Sequence, residues 1–280
     1  MGSLLTYWRL DFLMIIFLIG ICLGYFYMTG FKIIKKSIYF FAGLLLIILS
    51  VASPLQFLGD NYLMSAHMAS HVLLLLIASP LLVIAIPENS NKNIERISEI
   101  LVRNPWLSWM AGVCIMWFWH IPVIFNHLFE TQEGNIAGLH LHSLHILQNI
   151  HLISLVICGI IFSWPLIGPV PSCRIAPPNA VLYLSGACVF CSILGLLITF
   201  APTGVYTSYL HIQDHFGFLN MIRNENGISA QVDQQMGGLI MWVPGCLIYL
   251  TASMYLLMKW FKQKNETVSL SNQSINHDRK

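Results

Sequence analysis

The sequence predicts an all-α fold, a polytopic membrane helix bundle of about seven transmembrane helices with its N-terminus outside and its C-terminus cytoplasmic. Three observations predict it. Of 280 residues, 56% are hydrophobic and 9% charged, against roughly 25% charged residues in a soluble domain. Apolar runs near the ~20 residues needed to span a bilayer lie at approximately 11–28, 37–53, 62–86, 106–125, 141–165, 180–200 and 236–258. With those spans in place, twelve of the fourteen basic residues fall on one side: Lys32, Lys35, Lys36, Lys92, Arg96, Arg103, Arg174, Lys259, Lys262, Lys264, Arg279 and Lys280, with Arg9 and Arg223 opposite. Basic residues concentrate in cytoplasmic loops, and an error of one span would scramble the asymmetry. The net charge of +2 gives no case for a nucleic-acid partner. Short loops without a soluble insert argue for one bundle over residues 1–264, and the polar 265–280 stretch reads as a disordered cytoplasmic tail.

Taken in order, the first run resembles a signal peptide only superficially. Arg9 alone precedes it and Lys32, Lys35 and Lys36 follow, the reverse of a secretory signal. The third run opens with Met64–Ser65–Ala66–His67–Met68–Ala69–Ser70–His71. On a helix His67 and His71 share a face, with Met64 and Met68 beside them. Two imidazoles and two thioethers suit copper in either common oxidation state, although imidazole also suits zinc, iron and nickel. The plainer reading is a histidine pair hydrogen-bonded across the bundle. Ionisable groups in a span are functional candidates, yet they also pair structurally.

The loop before the fourth run has apolar residues at Ile94, Ile97, Ile100 and Leu101 among mixed charges, a pattern for a short amphipathic surface helix. Pro105 then marks the start of the fourth helix. That helix ends in Met116–Trp117–Phe118–Trp119–His120–Ile121–Pro122. Pro122 lacks a donor, so a carbonyl near Phe118 is freed, and Trp117 and Trp119 read as an interfacial aromatic belt. Whether His120 is a ligand or a structural hydrogen-bonding group stays open on these residues.

The fifth run carries His140, His142, His145 and His151. They do not all share a face, and His151, the deepest, is the preferred ligand, with His140 and His142 expected at the membrane surface. Cys188 and Cys191 in the sixth run fall among apolar residues and read as small packing groups. The long loop 202–235 holds Tyr206, Tyr209, His211, Asp214 and His215. Asp233, at the start of the last helix, reads as an N-cap or as a group orienting a histidine ligand. Gly237 and Gly238 permit close helix contact.

Ten of the eleven histidines fall on the predicted outer side, with His277 in the tail. Interfacial polar residues gathered without function would appear at both ends of the helices. The cysteines show the opposite distribution, within spans or on the inner side, so no outer structural disulfide is expected.

The segments SPLQFLGDNYLMSAHMASHVLLLLIASPLLV, WFWHIP, HLISLVICGIIFSWPLIGP and DQQMGGLIMWVPG together resemble the multispan cytochrome c oxidase assembly factors of the CtaG family, distinct from the single-span copper chaperone that shares the name. The likeness runs from about residue 50 to 258, leaving the first helix outside it. It implies a multi-pass protein of the bacterial plasma membrane that is not itself an enzyme and serves assembly of a caa-type oxidase, with a role in delivering copper to its active centre. Family histidines match His67, His71, His120 and His151. The implied partners are oxidase subunits, the lipid bilayer and an extracellular copper chaperone as source of the ion. The competing classes are a haem- or copper-binding redox protein using the same histidines, a histidine-box di-iron enzyme, and a metal transporter. Histidine boxes are expected at the cytoplasmic face, and transport calls for polar residues through both halves of the bundle.

Overall fold

The computed structural model describes residues 6–88, 92–130, 140–210, 212, 214 and 216–278, and all regular structure among them is helical. The helices are α1 (Phe12–Thr29), α2 (Ser37–Ala52), α3 (Pro54–Asn61), α4 (Met64–Val72), α5 (Ser79–Ala85), α6 (Lys92–Arg103), α7 (Pro105–Trp119), α8 (Pro122–Glu130), α9 (His140–Ile167), α10 (Pro177–Phe200) and α11 (Ala230–Asp278). Six helical stretches are long and apolar enough to cross a membrane, and α7 with α8, bent by 67°, supplies a seventh when the pair is taken as one span. The seven-run reading of the sequence and the helices thus coincide.

Burial is inverted relative to a soluble protein. Large apolar side chains such as Leu182, Phe200, Leu247 and Tyr255 are exposed, while His67, His71, His120 and His151 are buried. Polar groups inside and apolar groups outside are what a hydrocarbon solvent selects. The central layer is α4, α5, α9, α10 and α11, with α2 and α7 packed on it. α1 is peripheral, resting on α9.

Close packing depends on small residues at a few points. A Cβ on Gly195 would lie 2.6 Å from Trp242 Cβ, and one on Gly237 would lie 3.3 Å from Met68 Cγ. Gly195 thus admits α11 to α10, and Gly237 faces α4.

Between α4 and α5 the chain passes through a π-helical stretch, Leu73–Ala78. The Ser79 hydroxyl donates to Leu74 O at 2.7 Å and lies 3.1 Å from Val156 O on α9. Such bulges re-aim the helix beyond them and are frequent at functional sites. Here the bulge begins two residues after His71.

The two ends of the bundle differ in content. At the basic end, amphipathic α6 packs on α9, with Trp164 Nε1 donating to Ser98 Oγ at 2.9 Å, and Lys36 pairs with Glu88 at 3.0 Å. At the histidine end, described residues between α10 and α11 are tied to the neighbouring helix termini. Tyr209 donates to the Gly59 carbonyl, Tyr62 to Asp214 at 2.8 Å and Asn126 to Val205 O at 2.9 Å. Residue 265, where the sequence suggests a disordered tail, lies inside α11, which continues to Asp278. No proline or glycine follows Gly245 to stop it.

Candidate metal centre

The histidines of α4 depend on how that helix begins. Leu63 precedes it and offers no capping side chain. The orphan donors of the first turn are met instead by Asp233 from α11. Its carboxylate accepts from Met64 N at 2.7 Å, Ser65 N at 3.1 Å and Ser65 Oγ at 2.6 Å. A carboxylate at a helix N-terminus also opposes the positive end of the helix dipole. Asp233 is therefore a cap, but of α4 rather than of its own helix, whose first turn it occupies. The cap of α11 is Ser229, whose Oγ accepts from Val232 N at 3.2 Å.

This arrangement sets His67 and His71 against α9. Nitrogen atoms of His67, His71 and His151 all lie within 4.8 Å of one another. Ring centroids are 4.2 Å apart for His67 and His71, 4.7 Å for His71 and His151, and 5.3 Å for His67 and His151. Both ring nitrogens of His71 and Nε2 of His151 have no hydrogen-bond partner among the described residues. A buried polar atom left so costs about 1–3 kcal/mol, and a metal ion coordinating the lone pairs would offset that cost. Bonds of ~2.0 Å to three nitrogens place those atoms ~3.5 Å apart, so the rings need close by only about an ångström.

His120 is held differently. Its Nδ1 lies 2.6 Å from the Met116 carbonyl and its Nε2 3.1 Å from Met68 Sδ. A carbonyl oxygen only accepts, so the proton is on Nδ1 and, in the neutral ring, the Nε2 lone pair faces the thioether. Fixing the distal nitrogen through a backbone carbonyl is how proteins orient imidazole ligands. The His120 ring stands 5.1 Å from that of His71, which makes it and Met68 a neighbouring pair of soft donors. Its position comes from the break between α7 and α8. The carbonyl satisfied from outside is that of His120, which accepts from Tyr206 Oη at 3.0 Å. At Phe118, where the sequence suggested a freed carbonyl, Ile121 N donates instead at 3.3 Å.

The other candidates are dispersed. Met64 packs against α11, its Cγ 3.4 Å from where a Gly237 Cβ would stand. Trp119, read from sequence as part of an interfacial belt, is buried; its Nε1 donates to Ser154 Oγ at 2.9 Å and its ring lies 4.8 Å from His151. His127 is exposed on α8. The side chains of His140, His142 and His145, and residues His211 and His215 entirely, lie outside the described residues.

Four histidines, two on α4, one at the break after α7 and one on α9, in one buried cluster with Met68 beside them, constitute a nitrogen-rich site that suits a borderline or soft metal ion. A search of curated proteins and one of solved structures found no match. The family model for the cytochrome c oxidase caa3 assembly factor, Caa3_CtaG, matches residues 29–263, from the end of α1 into α11, and this chain belongs to that family.

Proposed function

We propose that the protein binds copper at His67, His71 and His151, with His120 and Met68 adjacent, on the outer side of the bacterial plasma membrane, and that it passes the ion to an oxidase subunit. The observation that carries this reading is the convergence of three buried imidazoles from two helices within 4.8 Å, in a chain whose family assembles a copper-containing oxidase. Copper here is cargo, so ligation must be strong enough to capture and loose enough to release. Three imidazoles that close by about an ångström on binding meet that requirement. The haem alternative fits less well, because rings 4.2–5.3 Å apart leave no slot for a macrocycle between them.

The test is complementation. Deleting the protein is expected to leave oxidase polypeptides in the membrane while oxidase activity and copper per oxidase fall. Reintroducing His67→Ala with His71→Ala should give normal insertion, since removing two imidazoles makes an apolar span no harder to insert, yet no recovery. Full recovery of activity and copper content would reduce the histidine pair to a structural feature.

A further inference from the structure

A second group of soft donors lies, half-buried, between α10 and α11. Cys188, near the middle of α10, and Cys246 on α11 bring their Sγ atoms to 3.2 Å, and the Ser192 hydroxyl stands 3.1 Å from Cys246 Sγ. One turn along α10, Cys191 lies 3.5 Å from the Met241 carbonyl. The sequence pairs Cys188 with Cys191 as a CxxC; the structure pairs Cys188 with Cys246 across two helices. Room for Cys191 comes from Gly245, where a Cβ would stand 3.2 Å from its sulfur. A narrow cavity of about 20 Å³ touches one member of each group, Cys191 here and His71 of the histidine cluster. Its wall includes His71, Met116, Cys191 and Met241. That volume admits one water-sized particle, the size class of a metal ion stripped of its hydration shell.

We infer that Cys188 and Cys246 form a second site, for a monovalent soft cation, with Cys191 beside them as the sulfur that shares a cavity wall with His71 of the histidine centre. Thiol and thioether donors select Cu(I) over harder ions; the identity of the ion, though not the existence of the site, rests on the copper reading above. Sulfur–metal bonds of ~2.3 Å require the two thiols to part by about an ångström. Charge balance favours a single deprotonation. Cu(I) leaving the neutral imidazoles of the histidine centre bonds to one cysteine sulfur as that cysteine's proton passes to a vacated imidazole and from it to water, and the second cysteine binds as a neutral thiol. The complex is then uncharged, as burial in hydrocarbon demands. Ordinary packing of small apolar side chains predicts the same contacts but no affinity for copper.

The experiment is an anaerobic Cu(I) titration of the purified full-length protein against a chromogenic chelator, with ultraviolet and X-ray absorption on the loaded protein. Wild type should hold both nitrogen-ligated and thiolate-ligated copper, the latter marked by a thiolate-to-copper charge-transfer band that a methionine thioether does not give. Cys188→Ser with Cys246→Ser should lose that band and one equivalent of copper, and keep the nitrogen-ligated ion. His67→Ala with His71→Ala should do the reverse. Cys114→Ser, an exposed cysteine, should change neither. Independently of any variant, loading wild type with Cu(I) should protect Cys188 and Cys246 from alkylation as read by mass spectrometry. No thiolate band in wild type, or full alkylation despite loading, would overturn the thiol site and leave the histidine centre standing; a thiolate band in wild type without any nitrogen-ligated copper would overturn the histidine centre and leave the thiol site.

Discussion

At the histidine end of the bundle, segments far apart in sequence are joined by buried polar contacts: Asp233 to Met64 and Ser65, Tyr206 to the His120 carbonyl, Tyr209 to Gly59. At the basic end the described polar links join aromatic side chains to neighbouring helices, Trp164 to Ser98, Tyr183 to the Phe162 carbonyl, Tyr25 to Ser37 and Trp109 to the Tyr183 carbonyl, beside the surface pair of Lys36 with Glu88. Buried donors and acceptors tolerate little rearrangement because each needs its own partner, whereas exposed ones exchange with water. One end therefore holds imidazoles in fixed positions through a carboxylate and tyrosine hydroxyls on loops and helix starts, and the other, among the described residues, ties helix to helix without any imidazole. The contrast is open to attack by substitution at either end.

The largest effect is expected at Asp233. Replacing it by Ala strands two backbone N–H groups and a hydroxyl in the interior, a loss on the order of 3 kcal/mol, and releases the start of the helix that carries His67 and His71. Thermal unfolding in detergent should show a lowered midpoint, with copper retention lost in parallel. Asp233→Asn, which retains one acceptor oxygen, should fall between. If Asp233→Ala melts like wild type, the cross-helix cap is incidental.

Gly159→Ala should come next. The new Cβ would stand 2.5 Å from Ser79 Oγ and 3.0 Å from Leu75 O, so α9 must move away from the π-helical stretch. Overpacking of this kind costs about 1–3 kcal/mol. Because His151 rides on α9 and His71 on the helix before the bulge, copper affinity should fall more than stability does. An unaltered affinity would mean that α9 is not needed to place the third imidazole. The corresponding variant at the basic end, Ser98→Ala, removes the acceptor for Trp164 Nε1 and the hydroxyl's own bond to the Ile94 carbonyl, and should cost about 1–3 kcal/mol with copper binding untouched. A drop in copper binding there would show that the ends are coupled.

These contrasts also explain which features the sequence discloses. Spans are legible because a bilayer demands an apolar run of a set length, and the His67–His71 face is legible because helical spacing is local. His151 stands out as the deepest histidine of its run, and it is the one that meets that pair. The Asp233 cap spans 169 residues, and neither end of the contact has a local signature beyond the general liking of Asp for helix starts. Trp119 looks like an interfacial aromatic until α9 is placed beside it. Cys188 suggests Cys191 by proximity in sequence, while its contact is made by Cys246 on another helix. Pairings between helices depend on packing angles, which individual runs do not encode.

The smallest expected effects concern two carboxylates, one at each end, held down by different donors. At the basic end, the hydrogen bond from Lys36, reinforced by its charge, holds exposed Glu88 below the ordinary carboxylate value. At the histidine end, desolvation pushes Asp214 upward, but donors from Tyr62 Oη and the backbone N–H groups of Leu219, Gly217 and Phe218 outweigh it and leave the group depressed. Both contribute stability above their unfolded values, ~4.3 for Glu and ~3.9 for Asp, and lose it as pH falls through the lower folded values. Salt separates them. The Glu88 shift depends on a formal charge at the surface and should shrink as salt is raised toward 1 M, where the screening length is about 3 Å. Asp214 is held by neutral donors and should keep its shift. Carboxylate titrations by NMR with selectively labelled Asp and Glu, at low and high salt, measure both. Equal salt sensitivity would mean that Asp214 responds to formal charges rather than to Tyr62 and the backbone donors of Gly217, Phe218 and Leu219, and that these contacts at the histidine end are no more fixed than the surface at the other.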